Sequence, residues 1–562
     1  MSYIRLDNLR KHYTPQIPKV LESLPRVEVS TNYAPIEESV SAFFPATFGL
    51  PLLELKENFS SEELSAPSPL NVGVLLSGGQ APGGHNVIAG IFDALKSYHP
   101  ASSLFGFLMG PGGLLKNQVR ELTADVINAY RNSGGFDMIG SDRTKLEKKE
   151  DFDTALKVAH GLKLHALIII GGDDSNTNAA LLAEYCKAIG DPLRVIGCPK
   201  TIDGDLKNAW IEASFGFDTC AKVYGELIGN IQRDCYSSRK YWHFIKLMGR
   251  SASHLTLECA LMTQPNVAII SEEIAAHNRS LSDIVSQLAD VVVMRSERGM
   301  DFGSVLIPEG LVEFVPKMRL LIAELNKVLA ENAHKLHLVK RTQILNYLAG
   351  KLSEESASFF LSLPKEMAYQ LSMERDPHGN VQVSRIEIEE LIVTMLKKEL
   401  EKRRKKGEYK GNFSALTHFF GYEGRCSMPS NFDASYCYSL GRTASYLAIA
   451  GHSGYMAAVR NLVNHPSEWQ PAGIPLTLMM HLEERKGALK AVIKKSLVDI
   501  EGAPFRYFRK HRHEWAEGIS YHYPGPIQYF GPSAVCDNTT ITLRLENHLD
   551  PEDEEYGSET LF

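Results

Sequence analysis

At 171–178 the chain reads GGDDSNTN, directly after the apolar run Leu167-Ile168-Ile169-Ile170. A buried strand that empties into a Gly-Gly turn can hold an anion on backbone N–H groups at the start of the next helix. Two adjacent carboxylates, Asp173 and Asp174, are an odd pair to set beside an anion. One suits a metal ion, and either could cap the helix that follows. The same strand–glycine–helix grammar stands at Leu75-Leu76-Ser77-Gly78-Gly79-Gln80-Ala81-Pro82-Gly83-Gly84. A second carboxylate pair, Asp203 and Asp205, sits two residues apart on CPKTIDGD (198–205), with Lys200 beside it. Two carboxylates at that spacing can divide labour, one as a base and one near a metal, whereas an Asx-type turn accounts for only one of them.

The elements that must position these residues are short apolar strands alternating with helices. Val72–Leu76 reads as a buried strand and His85 to Tyr98 as an amphipathic helix; a helix near 151–163, a strand at 166–170, a helix at 176–189 and a strand at 194–197 repeat the unit. Such alternation implies βαβ units and a parallel, doubly wound sheet whose strands do not alternate because helices cover both faces. Ligands then collect at the carboxyl ends of the strands, where the glycine turns lie. A second α/β section runs from about 218, with strands at 243–247, 266–270 and 304–307. Helical periodicity takes over from Pro316 to Lys406, turn-rich sequence returns at 421–433, and a helix follows through 436–450.

The whole-chain bounds agree with a multidomain soluble globular protein. At 562 residues the chain exceeds one compact core, and its 44% hydrophobic and 23% charged content is ordinary. A net charge of −7 argues against a nucleic-acid binder, and the run Lys402–Lys406 ends a helix where cations suit the dipole. Eight scattered cysteines, with no C-x-x-C, suit a reducing cytoplasm, and the absence of an apolar leader or an 18-residue apolar run excludes a membrane span. No P-loop and no G-x-G-x-x-G dinucleotide fingerprint is present, and the His334/His337 and His511/His513 pairs lack further ligands at zinc spacing.

The ordered set SGGQAPGGHN, GGDDS, PKTIDGD, MGRSASH (248–254), PEG (308–310) and GYEGR (421–425) resembles the phosphofructokinases, and more narrowly their long, pyrophosphate-dependent class. The likeness covers about 70 to 460. It implies two doubly wound, Rossmann-like α/β domains with a helical insertion. The expected divisions are an N-terminal extension at 1–68; a donor domain at 69–217 plus 430–495; a fructose 6-phosphate domain at 218–315 plus 408–429; the insertion at 316–407; and a C-terminal segment at 496–562.

The resemblance also assigns roles. Asp203 matches the base that takes the C1 hydroxyl proton of fructose 6-phosphate, and Asp173 matches a Mg²⁺ carboxylate that Asp205 supports through water. Gly78 and Gly79 match the loop on the donor phosphate, and Arg143, in GSDRTK, an arginine clamping the transferring group. Thr201, Ile202, Met248, Gly249 and Arg250 match sugar-phosphate contacts, Glu309 a carboxylate on sugar hydroxyls, and Tyr422, Glu423, Gly424 and Arg425 the segment around the 6-phosphate. Lys240, with Tyr241, matches a basic stretch that reaches the site of a neighbouring subunit, which implies a homodimer or larger homo-oligomer.

ATP-using relatives carry Gly where this chain has Asp174 and Lys200. Asp174 would fill and charge the space of a nucleotide α-phosphate; two like charges ~4 Å apart repel by about 1 kcal/mol in water and several-fold more in a dry site. Lys200 would serve the leaving group. The implied donor is therefore pyrophosphate. Ile88 and Phe92 stand where bacterial ATP-dependent enzymes place two effector-binding arginines, so that control site is expected to be missing. The rival assignments are an ATP-dependent 6-phosphofructokinase, a non-catalytic regulatory subunit, and an NAD or lipid kinase sharing only the GGD turn.

Overall fold

The apolar runs at 72–76, 167–170 and 195–198 become the centre of one sheet in a computed structural model that describes residues 5–31, 37–58, 68–336, 343–372, 386–485 and 488–549. The acidic tail from 550 onward and His337 lie outside the described residues. The described chain divides into two units. The first takes its residues from Met1–Cys220, Tyr422–Ser496 and Ile527–Leu543, and the second from Ala221–Gly421, Leu497–Pro526 and Arg544–Phe562. The structural division thus falls at 421/422 where the sequence pattern suggested 429/430, and the C-terminal segment is shared between the units.

In the first unit the sheet order is Arg26–Val29, Leu53–Lys56, Gln470–Pro475, Tyr455–Arg460, Arg194–Pro199, Ala166–Gly171, Asn71–Ser77, Ser103–Phe107 and Val119–Glu121, with Ser141–Asp142 also on Asn71–Ser77. The five strands from Tyr455–Arg460 to Ser103–Phe107 are parallel. Their residues are buried on both faces, which is why the sequence shows runs rather than alternation. The chain steps from Asn71–Ser77 to one side and later returns on the other, so the order reverses between Asn71–Ser77 and Ala166–Gly171. A crevice opens at such a reversal. The SGG and GGDD turns leave the two strands there. Helix Gly84–Tyr98 packs directly on helix Asn431–Ile449: a Cβ on Gly90 would strike the Tyr438 carbonyl, and one on Gly441 the Val87 carbonyl.

The N-terminal extension adds two strands to this sheet. Arg26–Val29 and Leu53–Lys56 pair with each other, and the latter pairs with Gln470–Pro475. Arg10 is buried, donates to Asn431 Oδ1 (2.7 Å) and Pro429 O (3.0 Å), and stacks on Tyr13 and Tyr529.

The second unit holds a parallel sheet in the order Val267–Ala268, Gly303–Pro308, Trp242–Leu247, Ala415–Phe420. The helical insertion is its core rather than an appendage. Helices Pro316–Leu336, Ile344–Ala349, Glu354–Ser362, Lys365–Leu371 and Ile388–Lys405 contribute Met318, Leu325, Leu348, Phe360, Leu371 and Leu396 to one apolar cluster with Trp242, Phe244 and Val305. Among the described residues no helix is long and apolar enough to cross a membrane.

Candidate active site

Helix Asp173–Ala188 begins three residues earlier than its periodicity suggests, so both aspartates belong to its first turn. Gly172, not an aspartate, occupies the cap position. The carboxylates therefore sit on the helix end, beside backbone donors that favour anions. Asn176 Nδ2 reaches the carbonyls of Gly171 (2.6 Å), Gly172 (2.9 Å) and Cys198 (3.3 Å), tying this turn to the one that carries Lys200 and Asp203.

The first glycine turn is shaped by its backbone. Gly78 has φ +87°, a conformation that L side chains rarely adopt, and its N–H donates to Asp142 O (2.9 Å) while Ser141 Oγ donates to Gly78 O (2.9 Å). Arg143 is thereby carried to the donor loop. Lys200, only 7% exposed, donates through Nζ to Gly79 O at 2.8 Å. Burial and then the positive charge of Arg425 push its amine down to about 8, with Arg143 adding to the fall and the Asp203 and Asp173 carboxylates opposing it. Arg425 itself stands over the loop: a Cβ on Gly79 would lie 2.6 Å from its Nη1, and its Nε is buried without a hydrogen-bond partner among the described residues. Lys200 and Arg425 thus stand over two glycines, with Arg143 close enough to act on the charge of Lys200, an arrangement that suits a compact polyanion.

Carboxylates gather near Lys200 as well. Asp203 follows a turn in which its N–H donates to Thr201 Oγ1 (3.0 Å); Ile202 is buried and Asp205 nearly so. Burial, then the Asp203 and Asp173 charges, push the Asp205 carboxyl up to about 7 against the pull of Lys495 and Thr201. Lys495 Nζ lies 3.4 Å from Asp173 Oδ2, placed there by Lys494 N–H on Met479 O (2.8 Å) and Ser496 N–H on Asp205 O (2.7 Å). No sequence pattern pointed to Lys495, which lies about three hundred residues along the chain from Asp173 and in no glycine turn. Among the described residues no group of three His, Cys, Asp or Glu has the geometry to hold a metal by itself. Mg²⁺ does not need one, because it takes one or two carboxylates and completes its shell with phosphate oxygens and water. Carboxylates gathered closely enough for two of them to raise the proton affinity of Asp205 fit such an ion.

In the second unit the loop after Trp242–Leu247 is pinned at both ends. Met248 N–H donates to Phe420 O (2.9 Å), and Gly249, at φ +143°, turns the chain toward Arg250. Glu309 is buried at the end of Gly303–Pro308, its N–H on Leu247 O (2.9 Å), and Gly310 lies so close to the Arg250 carbonyl that a Cβ would collide. Glu272, not singled out by the sequence, accepts from Ser253 N–H (3.0 Å) and Val498 N–H (3.1 Å) behind this loop. The structure therefore brings Met248, Gly249, Arg250 and Glu309 together. Lys240 and Tyr241 are elsewhere: they precede the strand that Met248 follows, and six residues at about 3.3 Å each put about 20 Å between them. Tyr422, Glu423, Gly424 and Arg425 form a short helical turn in the first unit, with Tyr422 and Glu423 exposed and Gly424 buried.

A family profile described as Phosphofructokinase matches residues 71–448. The chain belongs to the phosphofructokinase family. It is 57% identical to the pyrophosphate–fructose 6-phosphate 1-phosphotransferase of Porphyromonas gingivalis over 98% of its own length and all of that protein's. It is 50% identical to the enzyme of the same name from Treponema pallidum, with 99% of each chain covered. The solved pyrophosphate-dependent phosphofructokinase of Nitrosospira multiformis superposes with a TM-score of 0.52 at 16% identity, over 84% of this chain and 97% of that one, a likeness of fold. The parallel, doubly wound sheet expected from the strand–helix alternation is the one observed, within the phosphofructokinase architecture that the resemblance implied.

Proposed function

We propose that the chain transfers a phosphoryl group, reversibly, from pyrophosphate to the C1 hydroxyl of D-fructose 6-phosphate, giving fructose 1,6-bisphosphate and phosphate in glycolysis and gluconeogenesis. The relatives of highest identity described above carry that activity in their names. The observation that carries the assignment is the donor loop: Lys200 buried against Gly79 O, with Asp174 on the first turn of the facing helix. A short polyanion fits between such groups, and a nucleotide meets a carboxylate.

Asp203 takes the C1 hydroxyl proton as the new O–P bond forms and the bridging P–O bond of pyrophosphate breaks. Lys200, Arg143 and the Gly78–Gly79 backbone stabilise charge on the transferring and leaving phosphates, since phosphoryl transfer needs positioning and neutralisation more than covalent chemistry. Asp173 would hold Mg²⁺, with Asp205 behind it through water; when bound, the ion neutralises the donor's phosphate oxygens. In this reading Met248, Gly249, Arg250 and Glu309 would contact fructose 6-phosphate, as would Thr201 and Ile202, and Tyr422, Glu423, Gly424 and Arg425 would serve its phosphate. The cytoplasm is the compartment consistent with eight free cysteines.

Purified protein with Mg²⁺ and fructose 6-phosphate should turn over with pyrophosphate and run readily backwards. Robust turnover with ATP and none with pyrophosphate overturns the assignment, and no turnover with either donor would make the chain a regulatory subunit.

Lys240, about 20 Å from the Met248 loop of its own chain, would serve the site of a neighbouring subunit in a homodimer or larger homo-oligomer. Lys240→Ala should raise the KM for fructose 6-phosphate with little change for pyrophosphate. After subunit exchange with an Asp203 variant, some mixed sites should lack neither residue and recover activity. No complementation would mean that each site is built from one chain.

The depressed Lys200 amine sets a pH limb. As pH rises through about 8 the ammonium is lost, so kcat/KM for pyrophosphate should fall toward about tenfold per pH unit above it. Lys200→Gly should be flat over the same range. A wild-type profile without this limb would mean that Lys200 does not act as a cation on the donor.

A further inference from the structure

We infer that the helical insertion sets the geometry of the sugar-phosphate loop, through a buried clasp between Lys246 and the first turn of helix Ile388–Lys405. Lys246 lies on the strand Trp242–Leu247, two residues before Met248, and is 2% exposed. Its Nζ is 3.1 Å from Glu389 Oε2, donates to Ile386 O at 3.0 Å, and sits over the Phe419 ring at 4.6 Å. Glu389 is itself buried. Its neighbour Glu390 accepts a hydrogen bond from Thr417 Oγ1 (2.6 Å), on the adjoining strand Ala415–Phe420. One turn of the insertion therefore holds two neighbouring strands.

Those strands are the ones that fix the loop. Met248 N–H is bonded to Phe420 O, and a Cβ on Gly421 would press on Met248 Cε and Phe419. A shift of the Lys246 end moves Met248, Gly249 and Arg250 together. A buried ion pair is a poor source of stability, since well-packed apolar groups of the same volume do as well, but its geometry is specific. Lys246 and Glu389 touch no substrate in this scheme, so they are positioning residues.

The inference rests on the fructose 6-phosphate assignment above, and its test separates the two. Wild-type pyrophosphate-driven turnover is measured first; its absence would remove the assignment. In an active wild-type background, Lys246→Met should raise the KM for fructose 6-phosphate about tenfold and leave the KM for pyrophosphate within about twofold, a small displacement in a positioned site being enough for this. Lys246→Arg should restore most of the loss. Because Lys246→Met strands a buried carboxylate and can misfold, the double variant Lys246→Met/Glu389→Leu is made beside it. That protein should regain the wild-type melting temperature and keep the raised KM. Direct titration of fructose 6-phosphate into the wild type and the double variant should show the same weakening without turnover. A stable double variant with wild-type KM and wild-type affinity for fructose 6-phosphate would show that the clasp only holds the fold together, and overturn the inference.

Discussion

Replacing Asp203 with serine should lower kcat about 10²–10⁴-fold while fructose 6-phosphate and pyrophosphate still bind, because that is the range a positioned general base supplies. The turn that offers Asp203 does not depend on its carboxylate. The Asp203 N–H rests on Thr201 Oγ1, Gly204 takes a positive φ, and Asn176 fixes Cys198 behind it. The fold should survive, and calorimetric binding of fructose 6-phosphate checks that it does. Serine also removes one of the charges that hold the Asp205 proton, so the carboxyl of Asp205 should titrate below about 7 in the variant. If Asp203→Ser keeps near-normal kcat, the base lies elsewhere, and Asp205→Asn is the next protein to measure.

The second large effect is a change of donor. Asp174→Gly together with Lys200→Gly should let ATP into the site and cripple pyrophosphate use. Asp174 is on the first turn of helix Asp173–Ala188, and Lys200 fills the turn against Gly78 and Gly79. Asp174→Gly alone should admit ATP poorly, since Lys200 still occupies the turn. Lys200→Gly alone should lower pyrophosphate turnover, because a lost charge-assisted contact to a leaving group costs about 2–4 kcal/mol. The measurement is kcat/KM for both donors across the four proteins. An unchanged donor ratio in Asp174→Gly would show that this carboxylate does not exclude nucleotides. Since Gly172 holds the cap position, such a result would leave Asp174 only its favourable interaction with the helix dipole.

The proposed donor half of the site was legible in the chain because it is built locally. Each of its turns follows a six- or seven-residue buried strand, and Gly78–Gly79, Asp173–Asp174 and Lys200–Asp205 each occupy a few consecutive residues. Strand burial and glycine conformation are properties of short segments, so pattern alone located them. The loop Met248–Arg250 carries no such local signal, and only its likeness to the family's motif singled it out. Helix starts were placed less well: the first turn at Asp173–Ser175 is polar and carries no apolar period, so only the hydrogen-bonded backbone revealed it.

Contacts across long stretches of chain were decided by packing. Arg425 stands over Gly79, and Lys495 over Asp173, because strands and helices far apart in sequence meet at one sheet edge; neither residue carries a local signature of that meeting. The strands Arg26–Val29 and Leu53–Lys56 exist only as additions to an edge already formed, and four residues have too little apolar surface to announce themselves. The insertion reads as amphipathic helices from its 3.6-residue period, but the period says only that one face is covered. That the covering surface is the strand Trp242–Leu247, and that Lys246 and Glu389 close within it, follows from a buried charge needing a partner in three dimensions, a requirement that no spacing along the chain expresses.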